Sequence, residues 1–302
     1  MVIRGPRMVR EAHGGARHGG AAGRSAGFVK RFTVMLTPLT RPLWLPAFVL
    51  AATTNASAQV TRPFVFTVTT TAADARGGGH GWAAYYDAGY AERTDEPFGY
   101  DGVAQRIGFQ GRLGSRYTLV GTVGIGIDAD TTGVHSTEEA ELLRDVLGPS
   151  SSLRLAVGLG ARREWEGTTA ALGRVSLGWT GQDAVLFGNL RFERAFAAGR
   201  DALDIISSFG WLQRLGHGWR AGVEAVGEDL EGFWEKDEAE GGAKLYAGPA
   251  VHWSSSTERL WVSASGGPVV YATRSGRSSP APRPLDAAGN GFTLRVAVGC
   301  AF

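Results

Sequence analysis

Apolar and polar residues alternate with a period of two through most of the chain beyond residue 60. From Phe292 to Phe302, the residues Phe292, Leu294, Val296, Val298, Cys300 and Phe302 take one side, and Thr293, Arg295, Ala297, Gly299 and Ala301 take the other. Leu153, Leu155, Val157 and Leu159 stand in the same way against Arg154, Ala156, Gly158 and Gly160, as do Trp219, Ala221, Val223 and Ala225 against Arg220, Gly222 and Glu224. Residues 117–127, 173–179, 203–211 and 243–253 follow the same rule. Alternation sustained over about ten residues predicts strands with one face against something apolar.

That apolar side is supplied either by the core of a soluble β-sandwich or by the hydrocarbon of a membrane. The two differ in what the opposite face must do. A sandwich turns it to bulk water, whereas a closed barrel must pack small residues inside and pair its charges. Here the polar face holds Arg106, Gln110, Arg112, Arg154, Arg162, Glu164, Arg174, Arg191, Glu193, Asp204, Arg214, Arg220, Glu224, Glu228, Lys244, His252 and Arg295. Arg far outnumbers Lys, as expected where guanidinium forks bridge carboxylates between strands. The 45 glycines leave room for these long side chains. Trp179, Trp211, Trp219, Trp253, Trp261 and Phe302 fall near strand ends, where interfacial girdles belong. The pattern favours an all-β, closed antiparallel transmembrane barrel of about twelve strands, with ten as the alternative count.

The first 58 residues are different material. Residues 1–34, rich in Gly, Ala and Arg and without a hydrophobic period over 1–27, read as a disordered extension or an over-long start. Within 35–58 the apolar stretch Leu43–Leu50, preceded by Lys30, Arg31 and Arg41 and followed by Ala56-Ser57-Ala58, reads as a secretion signal cleaved near Ala58/Gln59. This leaves 59–302 as the barrel. No apolar run approaches the roughly 20 residues a membrane-crossing helix needs. The leading segment carries eight of the 31 Lys/Arg and one of the 29 Asp/Glu, so its removal turns a formal charge of +2 into −5. Nucleic-acid binding, which needs a basic surface, loses its compositional support.

With a secretion signal, ten-residue alternating strands and a last strand closing on Phe302, the chain resembles bacterial outer-membrane β-barrel proteins. The resemblance implies residence in a Gram-negative outer membrane, contact with its lipid, and a terminal strand (Phe292, Leu294, Val296, Val298, Phe302) read by the barrel-assembly machinery. Connections counted back from the C-terminus agree, because long segments (276–290, 230–242) alternate with short ones (254–258, 216–218, 181–183). Residues 132–152 are ambiguous. Ser136-Thr137-Glu138-Glu139 before an apolar run matches a helix capping box, yet the stretch also suits a descending strand turning at Gly148-Pro149-Ser150. In the helix case Arg62–Thr71 must be the first strand; in the strand case, which the short Leu113–Arg116 turn favours, the barrel begins near Trp82.

Constellations that carry chemistry are few. Residues 228–242 form an acidic external segment (Asp229, Glu231, Glu235, Asp237, Glu238, Glu240), either a solvated loop or a collector of cations, without the order of an EF-hand. One Cys and six unpaired His suggest neither a disulfide framework nor a zinc module. No metal or cofactor is expected. His135 and His252 are the residues a barrel hydrolase would draw on, but no known Ser–His motif accompanies them; His80, within Gly77–Gly81, reads as a loop tip rather than a ligand or phosphate cradle. The inward charges either fill a narrow lumen with salt bridges or line a path for small solutes, bases exceeding acids. The expected role is therefore passive: a small-solute channel or an envelope structural protein. A barrel hydrolase and a soluble periplasmic β-sandwich module are the alternatives.

Overall fold

The computed structural model describes residues 64–67, 81–94, 97–128, 133–147, 153–197, 203–234, 242–273 and 290–302. The secretion signal, His80, Gly148-Pro149-Ser150, the proline-containing part of 276–290, and Glu235, Asp237, Glu238 and Glu240 lie outside the described residues.

Among these residues twelve strands follow one another: β1 (Trp82–Glu92), β2 (Gly102–Leu113), β3 (Tyr117–Asp128), β4 (Val134–Asp145), β5 (Leu153–Arg163), β6 (Thr169–Thr180), β7 (Ala184–Ala195), β8 (Asp204–Gly216), β9 (Trp219–Glu228), β10 (Lys244–Ser254), β11 (Leu260–Tyr271) and β12 (Gly291–Ala301). Each pairs antiparallel with its neighbours in sequence, and β1 pairs with β12, which closes the barrel. Closure leaves no strand edge to template aggregation. At the seam the Phe302 N–H donates to the Trp82 carbonyl at 2.9 Å, and the Trp82 N–H donates back at 3.3 Å.

Residues 134–145 are a strand, not a helix. Their helical capping pattern is overridden because Thr137, Glu138 and Glu139 find ladder partners in Gly124, Val123 and Thr122 of β3, and Glu139 also pairs with Arg162 of β5. Tertiary pairing of this kind routinely defeats local propensity. The barrel accordingly begins at Trp82.

The outside of the wall is apolar. Leu159 is 75% exposed and Ile107 65%, and Val123, Ile125, Val223 and Val296 face outward with them. A continuous apolar belt of this sort is a surface for lipid, not water. Trp82, Tyr117, Trp179, Trp211, Trp219 and Phe302 are exposed towards the end where β1 starts and β12 finishes. Trp261 does not belong to this girdle. It is 1% exposed and turns inward against Tyr85 and Ala297, because its parity on β11 matches the inward Ser263 and Ser265.

The connections 114–116, 181–183, 217–218 and 255–259 lie at the same end as the start of β1 and the end of β12. Such short turns mark the periplasmic side of bacterial barrels. The tightest, His217-Gly218, has both residues at positive φ (52° and 81°), the backbone that two-residue hairpins require. Longer connections (93–101, 196–203, 229–243, 272–290) lie at the opposite end, where 129–133 and 164–168 are nonetheless short.

Candidate functional site: the lumen and its two mouths

Side chains at alternate positions of all twelve strands converge on the lumen, and at mid-height they pair by charge. Arg295 of β12 grips Asp87 of β1 through two parallel bonds, Nε–Oδ1 3.2 Å and Nη2–Oδ2 2.7 Å. Arg174 of β6 makes the same fork with Glu141 of β4, its Nε 2.8 Å from Oε2 and its Nη2 on the other oxygen. Arg191 lies 2.6 Å from both Glu139 and Glu193, and Arg162 bridges Glu193 and Glu164. Towards the long-loop end the Lys244 ammonium is 3.0 Å from Glu228 and 3.5 Å from Asp229. Buried charges persist only with partners of this quality, and planar guanidinium–carboxylate pairs are the strongest available. Arg106 lies over the Trp165 ring, 5.4 Å from its centroid, and Asp204 is buried at the long-loop end of β8.

Four of the inward acids, Asp87, Glu139, Glu141 and Asp145, are absent from the expected lining. With them the anticipated excess of bases disappears from mid-lumen. Three of the four stand on β4, whose capping-box pattern concealed its period of two. Gln110 and His252 are buried where the alternation puts them.

The long-loop end is covered from within. Phe98 and Tyr100, in the β1–β2 connection, are fully buried, and Tyr100 packs on Trp165 with ring centroids 4.9 Å apart. The Thr293 hydroxyl donates to the Phe98 carbonyl at 2.7 Å. Two members of the expected acidic external loop also turn inward. Asp229 and Glu231 are buried, and a Glu231 oxygen accepts the Ile205 N–H at 2.9 Å. The short 3₁₀ turn Leu230–Phe233 places them on the rim, in reach of Lys244 and the Ile205 N–H.

Residues 64–67 lie inside the barrel, a placement that no sequence pattern indicated. Glu224 of β9 accepts the N–H groups of Val65 (3.3 Å), Phe66 (2.7 Å) and Thr67 (3.0 Å) in succession. Phe64 is buried among Val185, Phe187, Leu212 and Ala250. Beside this segment the polar space left at mid-lumen is a cavity of about 70 Å³, bordered by Asp87, Arg106, Glu139, Arg174, Arg191 and Arg295. That is room for water, not for a sugar or an amino acid.

The short-turn mouth is different. Arg112 and Arg214 are exposed there, and Arg154 and Arg220 are partly buried. Arg214 and Arg220 are direct cross-strand partners, a like-charge pairing that is normally unfavourable. Neither makes an ion pair among the described residues. They border a cavity of about 240 Å³ together with Ser254, Ser255, Ser256 and Glu258. Burial raises the Glu258 carboxyl above its ordinary range, and Arg220 and Arg214 pull it back down.

One Ser–His pair exists inside the wall. Ser263 Oγ and His252 Nδ1 are 2.9 Å apart, but His252 is 0% exposed, and its Nε2 meets no hydrogen-bond partner. Among the described residues no carboxylate orients the ring, and Ser263 is buried as well. His135 sits beside Tyr100, 5.8 Å between ring centroids. Among the described residues no cluster of three or more His, Cys, Asp or Glu is arranged to hold a metal.

A closed antiparallel wall with an apolar belt outside and forked ion pairs inside defines a β-barrel of the outer-membrane type. No family model matches the sequence, and no curated protein does either. Among solved structures, the chain is similar to a KdgM porin in complex with disordered oligogalacturonate (12% identity, TM-score 0.48, 73% of this chain and 99% of that one). It is also similar to LpxR from Salmonella typhimurium (10%, 0.42, 73% and 100%) and to a FadL homologue of Pseudomonas aeruginosa (8%, 0.41, 82% and 96%). At such scores none of these likenesses decides what this chain does.

Proposed function

We propose that the chain is a passive outer-membrane channel for small polar solutes, occluded in the state described here, and that it catalyses no reaction. The observation that supports this reading is the polarity of the lumen. Buried ion pairs contribute little net stability compared with apolar packing of the same volume, so a wall needed only for shape has no reason to keep forks such as Arg174–Glu141 and Arg295–Asp87. A water-compatible interior does. The unpaired Arg214 and Arg220 at the short-turn mouth bias entry from that side towards anions. The small mid-lumen cavity favours a second reading, an envelope structural barrel whose interior is simply filled. Planar-bilayer recordings on the wild type and on a variant freed of the occluding residues 64–67 separate the two: stepwise conductance with anion preference supports the channel, and bilayers that stay silent with both folded proteins overturn it.

The last strand also carries an expectation that follows from the class. Phe292, Leu294, Val296, Val298 and Phe302 all face outward, the arrangement proposed here to serve as the assembly signal. Replacing Phe302 should lower the yield of heat-modifiable barrel in cells without altering refolding in detergent.

A further inference from the structure

Glu224 stands apart from the other buried acids of the lumen. Asp87, Glu139, Glu141 and Glu193 each face an arginine, whereas among the described residues no Lys or Arg lies within ion-pair distance of Glu224. Its oxygens are instead taken up by main-chain donors, the successive N–H groups of Val65, Phe66 and Thr67, and by the Thr67 hydroxyl at 3.3 Å. A run of adjacent N–H groups converging on an anion is a backbone nest, which needs a curved main chain, and residues 64–67 are bent accordingly. Side-chain seats lie on either side. Phe64 fills the apolar hollow of Val185, Phe187, Leu212 and Ala250, where a Cβ on Gly210 would collide with its ring. Phe66 packs on Tyr246 at 5.1 Å between centroids and lies beneath the Arg295 guanidinium at 5.4 Å. Asp87 holds that guanidinium in place from its other side.

We propose that the inner wall carries a binding site for a bent peptide segment of the type aromatic-x-aromatic-Thr, with Glu224 as the main-chain acceptor, and that residues 64–67 are its ligand in cis, stoppering the lumen. Wall strands and stopper are separate parts of the chain: residues 64–67 contribute nothing to the β1–β12 ladder, and residues 68–80 join them to β1. Binding by the site stands on the geometry alone; its effect on flow rests on the channel reading above.

The test uses the full chain in detergent, with Phe64→Ala and Phe66→Ala together, and a fluorescent synthetic peptide of residues 62–69 (Arg-Pro-Phe-Val-Phe-Thr-Val-Thr) as probe. The peptide is expected to bind the double variant saturably and the wild type at least tenfold more weakly, because the wild-type site is filled. Adding Glu224→Gln to the double variant, or both alanines to the peptide, should weaken binding at least tenfold. Equal binding in all cases overturns the site. Should the double variant lose its heat-shifted mobility, Thr67→Pro removes both Thr67 donors, the N–H and the hydroxyl, without touching the wall. It should admit the peptide, and exclusion as complete as in wild type overturns the proposal. In bilayers, the double variant should open at least several-fold more often than wild type, and added peptide should close it again. Peptide binding with silent bilayers refutes the channel reading and leaves the site standing; conductance that the peptide never alters refutes the stopper.

Discussion

The middle of the lumen and its short-turn mouth draw their charges from the same alternate positions of the same strands, yet they treat them in opposite ways. At mid-height Arg174, Arg191 and Arg295 are each matched to carboxylates on other strands of the wall. At the mouth Arg214 faces Arg220 on the neighbouring strand, and Glu258 is the acid that lines their cavity. The difference follows solvent. A guanidinium sealed in the wall must have a partner to offset its desolvation, whereas one at the water boundary keeps its hydration and can be left to act on passing ions. Pairing therefore marks where charge is sealed from water, and its absence marks where the wall meets water.

Removing one partner of a mid-lumen fork should produce the largest effect. Arg174→Ala strands the buried Glu141 carboxylate and should cost about 3–5 kcal/mol, read as a lower urea midpoint for loss of the heat-shifted form. Arg214→Ala should change stability by no more than about 0.5 kcal/mol. Equal losses for the two would erase the distinction between the regions. The mouth should instead show its effect in selectivity. Arg214→Ala with Arg220→Ala should lower the anion-to-cation permeability ratio by roughly threefold, measured as the reversal potential across a salt gradient. An unchanged ratio would place the selectivity elsewhere.

The smallest effect concerns Glu258. As an anion it partly neutralises Arg214 and Arg220, and as a neutral acid it does not. Because burial raises its carboxyl, it protonates on acidification earlier than an ordinary glutamate would. Anion preference should therefore climb as pH falls, starting above the usual carboxylate range, and Glu258→Gln should hold the acid-side preference at every pH. A preference that falls on acidification contradicts the assignment.

Much of this architecture is legible in the chain because a barrel wall is specified locally. The alternation of Phe292 to Phe302 survives as outward and inward faces of β12, and the start near Trp82 follows from the parity of the turns. The failures occur where local chemistry competes or where the answer is long-range. Ser136-Thr137-Glu138-Glu139 satisfies a helix start equally well, which hid the inward acids of β4. Trp261, placed in the girdle by its nearness to a strand end, belongs to the interior by parity. Asp229 and Glu231 read as solvent-facing because they sit in an acidic run, yet Lys244 and the Ile205 N–H draw them onto the rim. Nothing in Phe64-Val65-Phe66-Thr67 announces a seat at Glu224, far along the chain, since that seat is created only when the barrel closes.

The account stands or falls on which face of the wall meets lipid, and a nitroxide scan along β12 tests this most directly. With Cys300 replaced by Ser and the protein reconstituted in vesicles, labels at 294, 296 and 298 should be relaxed by dissolved oxygen and shielded from an aqueous nickel chelate. Labels at 293 and 297 should show neither strong oxygen access nor lipid-like spectra. An even profile along the strand, or chelate access greatest at the even positions, would contradict a lipid-embedded barrel.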